Sequence, residues 1–171
     1  MELLRLLKLV AIALAVVLPV RAFVGEPIYV ASPSMEPTLR TGTMLILDKL
    51  TLRVRDLKRG DILSFRSPVE EVDLLKRVIG LPGETVELRE KSVFINGNQL
   101  DEPYAVHTRP TEKLVGDSLG PIVVPKDGVF VLGDNRDESN DSTVWKDKEG
   151  HPVYFLRFRH IQGLARRLPW A

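Results

Sequence analysis

The sequence predicts an all-β domain of antiparallel strands preceded by a single apolar helix. Short runs rich in Val, Ile, Leu and Phe recur along the body of the chain, each bounded by turn-forming residues. Twelve glycines and twelve prolines are spread through the 171 residues, a density that disfavours bundles and coiled coils. The only convincing long helix is the apolar segment at the N-terminus.

That segment comes first. Residues 9–20 are twelve consecutive apolar or proline residues, which as a helix rise only about 18 Å against a hydrocarbon core of about 30 Å. Counted from Leu3, with Arg5 and Lys8 reaching back to the headgroups, the run extends to about 27 Å. The expectation is a short transmembrane anchor over 1–22. The same residues also read as a cleavable signal peptide, because Val20-Arg21-Ala22 has the small-x-small pattern of a cleavage site. Both readings place the basic residues before the apolar run, so the N-terminus is expected in the cytoplasm and 23–171 on the extracytoplasmic side of the plasma membrane.

The expected strands cover 28–31, 43–50, 61–66, 72–79, 84–88, 92–95, 128–132 and 153–158. Asn96-Gly97 is the clearest hairpin turn, since a type I′ turn needs φ > 0 at both central residues. Residues 102–121 read as the main loop. Arginines at 157, 159, 166 and 167 stand among aromatic residues near the C-terminus, which suits either contact with headgroups or a solvated edge.

Composition excludes several classes of function. Without cysteine there is no disulfide and no thiolate metal site. His107, His151 and His160 are not spaced as helical zinc ligands, so no metal or other cofactor is expected. Setting aside Arg5, Lys8, Arg21 and Glu2 leaves 21 basic and 22 acidic residues in the body of the chain, which gives no basic excess for nucleic acid.

Three segments carry chemistry. In Ser32-Pro33-Ser34-Met35-Glu36-Pro37 the prolines push Ser32 and Glu36 toward extended conformations, giving a stiff, non-helical loop that presents Ser34 in one orientation. On the strand at 72–79, alternation places Lys76 on one face with Val72, Leu74 and Val78, and Arg77 on the other with Asp73, Leu75 and Ile79. Lys76 is the only polar residue of its face, and an ammonium in apolar surroundings loses hydration and becomes a usable base. A strand-end lysine reaching solvent is the plainer reading of Lys76 taken alone. Residues 133–142, GDNRDESNDS, contain no apolar side chain after Gly133. As a calcium loop starting at Asp137 they fail, because Ser142 and Lys148 stand where Gly and Glu are needed. They read as an Asx-rich turn or as support for a nucleophile and its base.

In this order, the anchor, SPSMEPTL at 32–39, Arg59-Gly60-Asp61-Ile62, LLKRVIGLPGE at 74–84 and GDNRDESNDS resemble the type I signal peptidases. These are membrane-anchored serine endopeptidases that remove signal peptides from exported preproteins. The resemblance implies a compact signal-peptidase-like β domain, Ser34 as nucleophile, Lys76 as general base, and an oxyanion hole made of the Ser32 hydroxyl and the Ser34 backbone N–H. It implies that Ser139 hydrogen-bonds the lysine amine and that Asp134 and Asp141 brace the loop. It also implies Ala-x-Ala specificity, with signal peptides and the lipid bilayer as partners.

One departure stands out. The motif normally ends Asp-Ser-Arg, and here it reads Asp141-Ser142-Thr143, so Arg77 or Arg136 is expected to pair with Asp141 instead. Two other functions remain open on the sequence. One is a related Ser/Lys peptidase with a different substrate; the other is a silent, membrane-tethered β domain that binds extended peptides.

Overall fold

The computed structural model describes residues 2–19 and 25–167. Helix α1 (Glu2–Pro19) is exposed along its whole length. Among the described residues no helix is long and apolar enough to cross a membrane. This corrects the expected span. Glu2, Arg5 and Lys8 occupy the first turns of α1, and the uninterrupted apolar part, 9–19, rises only about 16 Å. The rest of the expected anchor, including Val20-Arg21-Ala22, lies outside the described residues.

Eleven described strands form two antiparallel sheets. The larger uses β1 (Gly25–Tyr29), β2 (Met44–Asp48), β3 (Ile62–Arg66), β4 (Asp73–Gly80), β9 (Gly128–Leu132), β10 (Leu156–Arg157) and β11 (Ile161–Arg167). Their order is β1-β2-β11-β3-β4-β9-β10. The smaller sheet, β7-β6-β5-β8, comprises β5 (Thr85–Arg89), β6 (Ser92–Ile95), β7 (Asn98–Gln99) and β8 (Leu119–Val123). Asn96 and Gly97 take φ of 51° and 81°, so the hairpin joining β6 to β7 turns as expected.

Two strands depart from the sequence reading. β8 begins at the end of the stretch read as loop and runs two residues past it, and β11 lies where a surface edge or a headgroup contact was expected. β11 is interior, paired with β2 on one side and β3 on the other. Its pattern is broken by Gly163, whose missing Cβ is the reason the strand fits: a Cβ there would stand 2.6 Å from the Asp48 carbonyl oxygen.

The core has three parts. Leu63, Phe65, Val78, Val131 and Trp145 pack on one face of the larger sheet, with Trp145 meeting Phe65 edge-on at 5.8 Å. Val30, Met35, Leu39 and Leu45 pack beneath the 32–37 loop, with Leu75 against them. Ile79, Val86, Val93, Phe130 and Leu132 join the two sheets. The turn between the sheets is pinned by a bidentate ion pair from Arg59 to Glu84, at 2.9 and 2.6 Å.

Candidate active site

Ser34 sits in a single 3₁₀ turn, Pro33–Met35. Ser32 (φ −139°, ψ 159°) and Glu36 (φ −69°, ψ 146°) are extended, as the prolines dictate. Between them the loop is helical for one turn, which corrects the non-helical expectation: Pro33 is preorganised for the first helical position, and the Glu36 N–H donates back to the Pro33 carbonyl at 3.0 Å. Met35, 1% exposed, plugs the core beneath and fixes the turn.

Alternation along β4 brings Lys76 to this turn. It lies opposite Leu63 of β3, and its neighbours on that face, Leu74 and Val78, pack in the apolar cluster there. Lys76 is 2% exposed and Ser34 5%. The Lys76 Nζ donates to Ser34 Oγ at 2.7 Å, and Ser32 Oγ lies 3.2 Å from Ser34 Oγ. Burial pushes Lys76 down from 10.5 to about 8; the charges of Asp141 and Asp134 act in the opposite direction without overcoming it. The amine is therefore deprotonated far more easily than a surface lysine.

The 133–142 segment closes over this pair in ways the sequence did not disclose. Arg77, on the opposite face of β4, grips Asp134 through two hydrogen bonds of 2.7 and 2.5 Å, donates to the Gly60 carbonyl at 2.9 Å, and stacks 4.0 Å above the Tyr104 ring. Arg136 pairs with Glu102 at 2.5 Å. Neither arginine reaches Asp141, which corrects the expected substitute for the missing motif arginine. Asp141 is instead held by neutral donors: the Gly133 N–H at 3.0 Å, the Thr143 N–H at 3.1 Å and the Thr143 hydroxyl at 2.9 Å. The residue that removed the arginine supplies its replacement.

Ser139 also differs from expectation. Its Oγ is buried and makes no hydrogen bond among the described residues, to Lys76 or to any other group. It packs instead on Gly133, where a Cβ would overlap both Ser139 Oγ and the Ser34 carbonyl oxygen. The bare backbone at Gly133 lets the serine close there, short of the amine.

Two groups were missed. Asn135 clasps the nucleophile turn, its backbone N–H donating to the Ser34 carbonyl at 3.1 Å and its Nδ2 to the Pro33 carbonyl at 3.4 Å. Tyr104 hydrogen-bonds Glu102 at 3.0 Å and covers Arg77. Its phenol is pushed well above its ordinary value by burial and by the Glu102 carboxylate. Asn135 was legible only as part of a polar turn, and Tyr104 lay in the stretch read as loop.

A groove of about 320 Å³ adjoins the site, lined by Glu26 to Tyr29 on one side and Asp73 to Leu75 on the other, with Ser64 and Gln162 in its floor. Among the described residues, 73–76 of β4 pair with β3 alone, because β9 joins only from Arg77 onward, and β1 pairs only with β2. Two strands thus present unpaired backbone across one groove. The only described grouping of three potential metal ligands, Asp147, Glu149 and His151, is on the exposed turn at 147–151.

The model of the family "Signal peptidase, peptidase S26" matches residues 3–170. The chain belongs to the signal peptidase family. It is therefore a serine peptidase of the signal peptidase I type. It is 43% identical over 139 residues to signal peptidase I P of Bacillus subtilis subsp. natto, covering 79% of this chain and 75% of that one. Signal peptidase I of Bacillus licheniformis is 41% identical over the same coverage. The crystal structure of a signal peptidase I from Enterococcus faecalis superposes with a TM-score of 0.51 at 31% identity, over 65% of this chain and 97% of that one. The mostly β architecture of this peptidase is similar to that structure.

Proposed function

We propose that this peptidase removes signal peptides from exported preproteins, cleaving after the second small residue of Ala-x-Ala sites, with Ser34 as nucleophile and Lys76 as general base. The observation that carries the reading is the buried 2.7 Å hydrogen bond between Lys76 Nζ and Ser34 Oγ. A silent peptide-binding domain would have no use for a lysine whose burial costs stability and whose amine touches a serine.

The preprotein lies extended in the groove, completing the hydrogen bonds that β1 and residues 73–76 leave open. Neutral Lys76 takes the Ser34 hydroxyl proton as Oγ bonds to the scissile carbonyl carbon. The Ser32 hydroxyl and the Ser34 backbone N–H receive the negative charge that develops on the carbonyl oxygen. The C–N bond then breaks, the leaving amine takes the proton from Lys76, and the acyl group stays on Ser34. Water attacks the ester and gives its proton to Lys76, which returns it to Ser34 as the peptide acid departs. Asp134, Asp141, Arg77 and Ser139 touch no reacting atom and serve to hold the loop around the pair.

The apolar side chains of α1 along 9–18 are exposed, which supports attachment to a membrane surface with the β domain on its extracytoplasmic side. Such attachment confines the site to the surface where cleavage sites emerge. The test is cleavage of an Ala-x-Ala preprotein in detergent by wild type, Ser34→Ala and Lys76→Ala, with product termini read by mass spectrometry. Cleavage after the second Ala that is lost in both variants is expected. Cleavage that persists in Lys76→Ala would overturn the dyad, and cleavage elsewhere would overturn the specificity.

A further inference from the structure

The Ser34 N–H can bind an oxyanion only if its peptide plane is held in one orientation, and a distant side chain joins the local turn in holding that plane. In a trans peptide the N–H and the preceding carbonyl point in opposite directions, so whatever fixes the Pro33 carbonyl fixes the Ser34 N–H. That carbonyl accepts from the Glu36 N–H at 3.0 Å and from Asn135 Nδ2 at 3.4 Å. The next plane is fixed too, because the Asn135 backbone N–H donates to the Ser34 carbonyl at 3.1 Å. One residue, 102 positions along the chain from Pro33, therefore grips both peptide planes that flank the nucleophile.

Asn135 is 5% exposed, and its Oδ1 accepts from no group among the described residues. The assignment of its amide is settled by chemistry: the atom beside the Pro33 carbonyl must be the donor, since two oxygens there would repel. A donor on the carbonyl also polarises the amide and makes its N–H a stronger donor to negative charge. Gly133, two residues earlier, is what allows this approach, because a Cβ there would strike the Ser34 carbonyl oxygen.

We infer that Asn135 is a positioning residue for the oxyanion hole, acting through the Pro33–Ser34 peptide on the Ser34 N–H. The inference rests on the Ser34/Lys76 reading and assigns Asn135 no contact with substrate. Its effect belongs to the transition state, where the charge appears, and not to the bound preprotein.

The experiment compares wild type with Asn135→Ala and Asn135→Asp on an Ala-x-Ala peptide. Alongside kcat and KM it measures inhibition by a peptide aldehyde, which adds to Ser34 and forms an oxyanion, and by an uncleavable peptide of the same sequence. For Asn135→Ala, kcat is expected to fall about tenfold, and for Asn135→Asp, which sets a carboxylate beside the carbonyl, more than 100-fold. Aldehyde affinity should fall in parallel, while KM, uncleavable-peptide affinity and the acid limb of the pH profile stay within twofold. Loss of affinity for both inhibitors together, a displaced acid limb, or an unchanged kcat would each overturn the inference. If Asn135→Ala does not fold, Asn135→Ser, too short to reach the Pro33 carbonyl, carries the same test. Ser34→Ala and Lys76→Ala measured beside them separate the two readings. If they retain activity the dyad is wrong, whereas if they lose it and the Asn135 variants do not, only the role of Asn135 fails.

Discussion

Lys76 and Arg77 are consecutive residues of one strand, both buried, and the chain treats their charges in opposite ways. Lys76 touches a serine and no carboxylate, so the charges of Asp141 and Asp134 only partly offset its burial and its amine gives up a proton easily. Arg77 closes a two-pronged ion pair on Asp134, and burial there is offset by partners that hold its charge in place. The strand's alternation splits a chemical function from a structural one across about 3 Å of backbone. A cation is made reactive by being denied a counter-ion, and made structural by being given one.

The Lys76 face breaks with the largest effect. Ser34→Ala and Lys76→Ala should each lower kcat/KM on an Ala-x-Ala peptide by about 10⁴-fold, and the double variant should be no worse than either alone. In the wild type the neutral amine is the active form, so kcat/KM should rise with pH through about 8 and fall below it. A pH profile flat between 6 and 9 would remove Lys76 as base.

Breaking the Arg77 face should unfold more than it inactivates. Arg77→Met leaves the Asp134 carboxylate buried without its partner, which should lower stability by about 3–5 kcal/mol in urea denaturation. An unchanged midpoint would show that the pair is dispensable.

Lys76→Met should move stability the other way. Folding lowers the amine from 10.5 to about 8, so the protonated lysine opposes folding fully below pH 8, less between 8 and 10.5, and not at all above. At pH 7 that penalty is about 3 kcal/mol, of which the lost Ser34 hydrogen bond returns about 1. The variant should therefore be inactive yet about 2 kcal/mol more stable at pH 7, with the gain vanishing near pH 10 and turning into a loss of about 1 kcal/mol above pH 11. A destabilised Lys76→Met would mean that the charged amine has found compensation in the fold.

The smallest effect sharpens the contrast between Asp134, held by a cation, and Asp141, held by neutral donors. Thr143→Val removes one hydroxyl bond from Asp141 and leaves two backbone N–H bonds, so stability should fall by about 1–2 kcal/mol with kcat within a few-fold of wild type. A loss as large as that of Arg77→Met would show the Thr143 hydroxyl to be the true substitute for an ion pair.

Local pattern made much of this protein legible before any coordinates. Alternation placed Lys76 among apolar neighbours, the two prolines set Ser32 and Glu36 extended, Asn96-Gly97 marked its hairpin, and the strands at 92–95 and 128–132 appear with those limits. These features depend on residues within a turn or a strand of each other, where backbone sterics act directly. What the tertiary structure alone decided involves partners far apart in the chain. It set β11 between β2 and β3, although the strand's own sequence, interrupted by Gly163, carries little alternation. It gave Arg77 to Asp134, 57 residues away, left Asp141 to Thr143, packed Ser139 on Gly133 without a hydrogen bond to the amine, and brought Asn135 to Ser34. Composition names the groups that can hydrogen-bond. Which of them meet is fixed by sheet register and by the space a missing Cβ leaves, and neither is written in the residues themselves.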